Sequence, residues 1–169
     1  PTPVPTPVPL SPPLVDSTGT VAYVEGDKLT VIRPASADVS FVEENALYDP
    51  AIMRWSPDGR RLLYASEVTG TQSGSAQDRR SLQVWDRSTG EIVGLQDVSG
   101  YPMDGCDMEE ASWSPGGTRL LLSSPGTQPG AWIFDPSSSL IQPLSGVAPG
   151  AARWIDDDRL LVRRAGEYT

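Results

Sequence analysis

A tryptophan-headed segment that recurs along the chain constrains the fold more than any other feature of the sequence. Its two best copies are Trp55-Ser56-Pro57-Asp58-Gly59, followed by Leu62-Leu63-Tyr64, and Trp113-Ser114-Pro115-Gly116-Gly117, followed by Leu120-Leu121-Leu122. A weaker copy begins at Trp154, where three aspartates replace the turn and Leu160-Leu161-Val162 follows. A unit that returns every few tens of residues is the signature of a repeat fold.

Each copy predicts a tight turn between two strands. Ser56 suits the first position of a type I turn, Pro57 presets φ at the second, and Gly59 is favoured at the fourth. The apolar triplet that follows lacks the alternation of apolar and polar residues expected of a strand with one solvent-exposed face. Both faces of this strand are therefore expected to be buried. The inner strands of a β-propeller blade, stacked between neighbouring sheets, meet this condition.

Polar turns divide the chain into a linker and four repeat units. The expected boundaries are 1–16 for the Pro/Thr-rich linker and 17–169 for the repeats, with units at about 17–44, 45–100, 101–147 and 148–169. The predicted fold is all-β, a partial β-propeller of four-stranded antiparallel blades with two complete blades and two partial ones. Unit one is expected to lack its first strand. Because a blade needs a neighbour on each face, we expect further blades beyond Thr169 or completion by another copy of the chain.

The composition of residues 1–15 is typical of a spacer. Seven of the first 15 residues are proline and none is charged, a composition that favours polyproline II. Either a semi-rigid spacer or a docking peptide for a proline-binding groove fits this composition. Thr/Pro spacers precede globular domains in envelope-anchored bacterial proteins, so we expect an extracellular or cell-envelope location with a tether upstream.

Composition excludes several classes of function. The net charge of −9 argues against nucleic acid and anionic membranes as partners, and no apolar run is long enough to insert into a membrane. The chain has no His, which removes Ser-His-Asp and Cys-His catalysis and histidine metal sites. No Gly-x-Ser-x-Gly elbow or phosphate loop is present. The segment is therefore predicted to be non-catalytic and to need no cofactor.

Candidate binding residues lie in two polar insertions and at one tryptophan. The first insertion ends in Arg79 and Arg80, and the second is an acidic loop with Asp104, Asp107, Glu109 and Glu110. Asp104, Asp107 and Glu109 form a weak Ca²⁺ candidate, since their spacing does not match the Asp-x-Asp-x-Asp-Gly calcium loop, and a solvated turn is the alternative. Trp132, next to Gly130, is the tryptophan expected to be most exposed.

The repeat resembles the TolB-type, WD-like β-propeller family over roughly residues 20–165. The resemblance rests on the two good copies at Trp55 and Trp113 and on Val84-Trp85-Asp86 with Thr89-Gly90-Glu91. It implies a scaffold for protein–protein contacts in the bacterial periplasm and envelope. The same repeats also form the non-catalytic gating domain of prolyl-oligopeptidase-like enzymes.

Three hypotheses about function remain open at this point. The first is a protein-interaction module that binds an unidentified protein partner through its loops. The second is the propeller of a larger hydrolase whose catalytic domain lies outside this segment. The third is a carbohydrate or small-ligand sensor that uses the loop carboxylates and Trp132.

Overall fold

The computed structural model describes residues 14–50, 52–67, 80–95, 110–125 and 129–164. Within these ranges the chain forms fifteen β-strands and no helix. Each strand pairs antiparallel with its neighbours, and the strands group into four sheets in sequence order. The predicted all-β architecture of antiparallel meanders is confirmed.

The strands of the four sheets have the following bounds. Sheet 1 contains β1 (Leu14–Val15), β2 (Val21–Glu25), β3 (Lys28–Arg33) and β4 (Asp38–Glu43). Sheet 2 contains β5 (Ala46–Leu47), β6 (Arg54–Trp55), β7 (Arg61–Glu67), β8 (Arg80–Asp86) and β9 (Ile92–Gly94). Sheet 3 contains β10 (Glu110–Trp113), β11 (Leu120–Ser124), β12 (Gly130–Asp135) and β13 (Leu140–Pro143), and sheet 4 contains β14 (Val147–Trp154) and β15 (Leu160–Arg164).

The apolar triplets are covered on both faces, as their composition predicts. In β7, Leu62 and Tyr64 belong to a core cluster shared with sheet 1. The alternate residues Leu63 and Ala65 belong to a second cluster shared with sheet 3. This division follows from the two-residue period of a strand, which sends successive side chains to opposite faces. Sheets 1, 2 and 3 are therefore layers of one continuous stack.

The expectation that unit one lacks its first strand is wrong. Leu14 and Val15 form β1, which pairs with Ala22 and Val21 of β2. Sheet 1 is thus four-stranded, and its first strand lies inside the stretch interpreted as linker. Leu14 and Val15 can join the ladder because, unlike the prolines before them, they keep a backbone N–H. Residues 1–13 lie outside the described residues.

The first strand of sheet 2 is split rather than continuous over 51–55. Its two pieces, β5 and β6, both pair with β7. Between them the backbone carbonyl of Asp49 accepts hydrogen bonds from the amides of Ile52 and Met53, which closes a turn. Ile52 and Met53 are buried, and they belong to opposite core clusters. The excursion therefore contributes packing on both sides of the sheet.

The repeated tryptophans join each sheet to the one before it. Each indole N–H donates a 3.2 Å hydrogen bond to a backbone carbonyl in the first strand of the preceding sheet: Trp55 to Leu14, Trp113 to Arg54, and Trp154 to Ser112. In the last two joints the acceptor is the residue just before the equivalent tryptophan. The indole N–H supplies a donor that the ring of phenylalanine lacks, so tryptophan at this position adds a hydrogen bond to the packing between sheets.

Candidate binding surface at the ends of the sheets

The antiparallel order gives the stack two ends with different connections. One end, the turn face, carries the short turns 16–20, 34–37, 56–60, 87–91, 114–119, 136–139 and 155–159. The opposite end, the loop face, carries the connections 26–27, 44–45, 68–79, 95–109, 125–129 and 144–146. Successive connections of an antiparallel meander alternate between the two ends. The two long connections, 68–79 between β7 and β8 of sheet 2 and 95–109 between β9 of sheet 2 and β10 of sheet 3, therefore join strand ends at the same end of the stack.

A serine holds each good copy of the turn closed. The amide of Gly59 donates to the carbonyl of Ser56 at 2.8 Å, as expected for a β-turn. The amide of Arg61 donates to Ser56 Oγ at 2.8 Å, and that hydroxyl donates to Asp58 Oδ1 at 2.5 Å. In sheet 3, Ser114 Oγ accepts from the amides of Thr118 and Arg119, each at 3.2 Å. The motif residues predicted to shape the turn do so through these bonds.

The arginine that precedes the apolar triplet in sheets 2 and 3 reaches forward to the next sheet. Arg61 Nη1 donates to the carbonyl of Gly117 at 3.3 Å, and its Nη2 donates to Ser137 Oγ at 3.1 Å. Arg119 Nη1 donates to the carbonyl of Asp157 at 3.2 Å. These arginines are not among the residues predicted from the sequence. The available signal was that an arginine stands directly before the apolar run in all three Trp-headed copies.

Asp86 organises the charges on the turn face of sheet 2. Its carboxylate accepts from Arg60 Nε at 3.0 Å and from Arg61 Nε at 3.3 Å. It also accepts from the amide and hydroxyl of Ser88, at 2.9 Å and 2.6 Å. Burial acts to raise the pKa of Asp86, but the hydrogen bonds from Ser88 and Arg60 outweigh it and lower the pKa to about 2.

A buried carboxylate joins the turns of sheets 1 and 2. Asp16 Oδ1 accepts from the amides of Thr18 and Thr20, at 2.7 Å and 2.8 Å. Arg87 Nη1 donates to Asp16 Oδ2 at 3.1 Å and to Thr20 Oγ1 at 2.9 Å. Burial acts to raise the pKa of Asp16, but these bonds and the Arg87 charge lower it below its usual value. Asp16 thus takes the place in sheet 1 that Ser56 holds in sheet 2.

A polar groove opens beside Arg87 on the turn face. Its cavity volume is about 320 Å³, and its lining residues are Thr18, Thr20, Arg33, Pro34, Ala35, Ser36 and Arg87. The volume lies at the lower end of the range for small-ligand pockets. Arg33 is exposed, whereas Arg87 is held by Asp16 and Thr20, so the groove can offer hydrogen-bond donors to a polar ligand.

A buried tyrosine links sheets 1 and 2 close to the loop face. The hydroxyl of Tyr64 in β7 donates to Glu43 Oε2 in β4. Tyr64 has no exposed surface, so its hydroxyl depends on this carboxylate as a partner. Burial and the Glu43 carboxylate both raise the pKa of Tyr64.

The sequence-predicted binding residues lie mainly in the two long insertions of the loop face. Asp104, Asp107, Glu109 and Arg79 lie outside the described residues. Glu110 begins β10 and is exposed, and Arg80 begins β8, where it pairs with Glu67. The structure therefore places Glu110 and the backbone of Arg80 at the same end of two neighbouring sheets.

The expectation that Trp132 is the most exposed tryptophan is wrong. Trp132 is 7% exposed and belongs to the core cluster between sheets 2 and 3. A Cβ added to Gly130 would lie 3.1 Å from Trp132 Cη2, so the glycine leaves room for the ring to fold over the strand end. The neighbouring glycine is thus a packing feature rather than a sign of exposure.

Neither a metal-holding group of side chains nor a membrane-spanning helix occurs among the described residues. Among them no group of Cys, Asp and Glu side chains is arranged to hold a metal ion, and the weak calcium candidate lies outside them. No helix long and apolar enough to cross a membrane occurs in the described ranges.

Comparison with solved structures identifies the fold. The chain superposes on Porphyromonas gingivalis dipeptidyl peptidase 4 with a TM-score of 0.59 and 14% identity, covering 87% of this chain and 26% of that one. For TolB from Acinetobacter baumannii the TM-score is 0.51 and the identity 17%, covering 92% of this chain and 38% of that one. For the β-propeller domain of the Trilobed protease from Pyrococcus furiosus the values are 0.52 and 15%, covering 79% of this chain and 41% of that one.

These likenesses define a class of fold. At such identities they show that the described part of the chain has a β-propeller fold, built from stacked four-stranded antiparallel sheets. The chain spans well under half of the length of each of these structures. No protein-family model matches the sequence, and no curated protein matches it.

Proposed function

We propose that the chain is part of a non-catalytic β-propeller module that binds another protein through its loop face. The module acts in the cell envelope of a bacterium or outside the cell, tethered through the Pro/Thr-rich stretch at residues 1–13. The likeness to TolB and the composition of that stretch support this location.

One observation carries the proposal: the two long connections, one within sheet 2 and one from sheet 2 to sheet 3, join strand ends at the same end of the stack. The turn face is made of short turns whose polar groups are largely used within and between sheets. The loop face carries the connections 68–79 and 95–109, which exceed the usual length of a hairpin loop. Long loops on a rigid sheet scaffold are the common place for recognition.

The sequences of the two insertions suit a polar partner. The first ends in Asp78-Arg79 and is followed by Arg80 at the start of β8. The second carries Asp97, Asp104, Asp107 and Glu109 and is followed by Glu110 at the start of β10. Charges of both signs at one end of the stack favour a partner with a complementary charge pattern, because such patterns steer association and set register.

A loop replacement tests the proposal without disturbing the core. Glu67 pairs with Arg80, so residues 68–79 can be replaced by Asn-Gly, which closes a two-residue hairpin. We expect a binding protein to be captured from an envelope fraction by the wild-type chain and lost with this variant. An Arg33→Glu variant on the turn face serves as the control and should retain capture. Recovery of the same proteins by wild type and loop variant would contradict the proposal.

A second candidate is the propeller domain of a larger peptidase. The likenesses to dipeptidyl peptidase 4 and to the Trilobed protease propeller favour it. In that case the chain would limit access to a catalytic domain elsewhere in the same polypeptide. Sequencing the parent reading frame tests this candidate: a hydrolase domain with its own Ser and His would support it, and a reading frame without one would remove it.

A further inference from the structure

The third strands of sheets 1, 2 and 3 end in turns of the same form. β3 ends at Arg33, β8 at Asp86 and β12 at Asp135, and a short turn leads from each to the last strand of its sheet. The fourth residue after each strand end has a positive φ, as seen in Ala37 (54°), Gly90 (75°) and Ser139 (50°). The three turns can therefore be compared position by position, and sheet 1 has an arginine where the other two sheets have an aspartate.

In sheets 2 and 3 this aspartate accepts a backbone N–H of its own turn. Asp86 Oδ1 accepts from the amide of Ser88 at 2.9 Å, and Asp135 Oδ1 accepts from the amide of Ser137 at 2.8 Å. The corresponding amide in sheet 1 belongs to Ala35, and no acceptor for it occurs among the described residues. The turn of sheet 1 therefore lacks the carboxylate that its counterparts supply from their own chain.

The guanidinium of Arg33 is available to a ligand. The side chain is exposed, and within the described ranges its guanidinium makes no hydrogen bond or ion pair. Asp38 is its cross-strand neighbour, but the Asp38 carboxylate accepts the hydroxyl of Ser36 at 2.6 Å instead. A positive charge and an unused backbone donor thus lie two residues apart in the same turn.

Arg33 and Ala35 both line the polar groove of the turn face, whose volume is about 320 Å³. Arg87 brings a second guanidinium to this groove, but its Nη1 already donates to the buried Asp16 carboxylate at 3.1 Å. Asp16 offsets the Arg87 charge, which leaves the Arg33 charge uncompensated. Pro34 lines the same groove and offers an apolar surface to a short aliphatic group.

We propose that this groove binds a carboxylate group joined to a short aliphatic chain, with the Arg33 guanidinium and the Ala35 amide as its donors. The bound carboxylate supplies the acceptor that Asp86 and Asp135 supply in sheets 2 and 3. A guanidinium suits this ligand because it can donate two parallel N–H bonds to a carboxylate. The site lies on the face opposite the long loops, so it is independent of the function proposed for them.

The charge of the site selects among anions. One uncompensated guanidinium matches a singly charged carboxylate better than a doubly charged phosphate, and the net charge of −9 on the chain adds to the repulsion of a dianion. A carboxylate of this kind occurs on small free acids and at the C-terminus of a peptide that ends in a small residue. The two sources share the same chemistry at the groove.

Titration of the isotope-labelled chain with sodium butyrate at neutral pH, followed by nuclear magnetic resonance, tests the proposal. We expect saturable shifts of the Ala35 amide and the Arg33 Nε–H, with a dissociation constant on the order of 1 mM. Butyramide, which has a similar shape without the charge, should cause little shift. Arg33→Gln should weaken binding by about tenfold or more. Arg33→Asp, which introduces the residue type of sheets 2 and 3, should abolish it.

Arg163→Gln is the matched control, because Arg163 is an exposed arginine in β15 of sheet 4. This variant should bind butyrate as tightly as wild type. Equal shifts with butyramide, an unchanged affinity in Arg33→Gln, or tighter binding of inorganic phosphate than of any carboxylate would each overturn the proposal.

A second titration distinguishes the two sources of the carboxylate. It compares a short N-acetylated peptide that ends in alanine with the same peptide carrying a C-terminal amide. Tighter binding of the free-acid peptide than of butyrate, lost on amidation, would identify a peptide end as the ligand. Tighter binding of butyrate would identify a small free acid.

Discussion

The turn glycine of sheet 2, Gly59, lies directly against the buried carboxylate of Asp16 in sheet 1. The backbone of Gly59 has a φ of +67°, and an added Cβ would lie 2.9 Å from Asp16 Oδ2. The contact joins two turns that are far apart in sequence. It shows that the glycine of the repeated motif serves the packing between sheets as well as the turn itself.

Gly59→Ala should therefore cost more than turn strain alone. Gly90 provides the matched control, because its φ is +75° and nothing lies within 4 Å of an added Cβ. Gly90→Ala should lower the free energy of unfolding by about 1 kcal/mol through backbone strain. Gly59→Ala should lower it by roughly 1–2 kcal/mol more, because Asp16 must shift from its partners. Urea denaturation measures both values, and equal losses would contradict the packing role.

Trp113→Phe should weaken the joint between sheets 2 and 3. The change leaves the Arg54 carbonyl without the indole that donates to it at 3.2 Å. Trp85→Phe is the control, since within the described residues the Trp85 indole makes a ring contact with Trp55 but no hydrogen bond. We expect Trp113→Phe to be more destabilising than Trp85→Phe by about 1 kcal/mol, measured by thermal or urea unfolding. A larger loss for Trp85→Phe would argue against the indole bond.

Asp86 should make the free energy of unfolding decrease as the pH falls into the acid range. Its pKa in the folded chain is about 2, against 3.8 for the free side chain. A lowered folded pKa adds stability above the unfolded value, and this contribution is lost as the pH falls from about 4 towards 2. Asp86→Asn should therefore lower the free energy of unfolding by up to about 2 kcal/mol at pH 7. The difference from wild type should shrink by pH 2.5, and a constant difference in urea titrations would contradict this.

Tyr64 should make the free energy of unfolding decrease as the pH rises above about 10. Burial and Glu43 raise its folded pKa, so its contribution is complete below the unfolded value near 10 and is lost as the pH rises beyond it. Tyr64→Phe keeps the ring and should cost about 1 kcal/mol at pH 7. It should also flatten the loss of stability above pH 10. Tyr23→Phe is the control, and the same flattening in that variant would assign the effect elsewhere.

The sequence was sufficient to predict the strands of the repeat. The triplets beginning at Leu62 and Leu120 have apolar residues at successive positions, which only a strand covered on both faces can accommodate. The serine and glycine of each turn have defined backbone roles, so their spacing indicates where the strands begin. The fold prediction succeeded at positions where the local backbone conformation and the packing between sheets both favour the same residue type.

The sequence was insufficient where another residue type fills the same structural position. Val15 and Asp16 replace the Trp and Ser of the motif, so β1 was missed although Gly19 marks its turn. The glycine near Trp132 suggests an exposed ring, whereas that glycine makes room for the ring in the core. The sequence does not reveal the roles of Arg61 and Arg119, because an exposed and a buried arginine cannot be told apart until their partners in the next sheet are known.

The opposed directions of the tryptophan and arginine bonds have a mechanical consequence for the loop face. Between sheets 2 and 3, the Trp113 indole donates back to the Arg54 carbonyl, and Arg61 donates forward to the Gly117 carbonyl. Two bonds of opposite direction between the same pair of sheets resist both rotation and sliding of one sheet against the other. The strands that bear the connections 68–79 and 95–109 belong to sheets 2 and 3, so a partner that contacts both connections meets strand ends held at a fixed spacing.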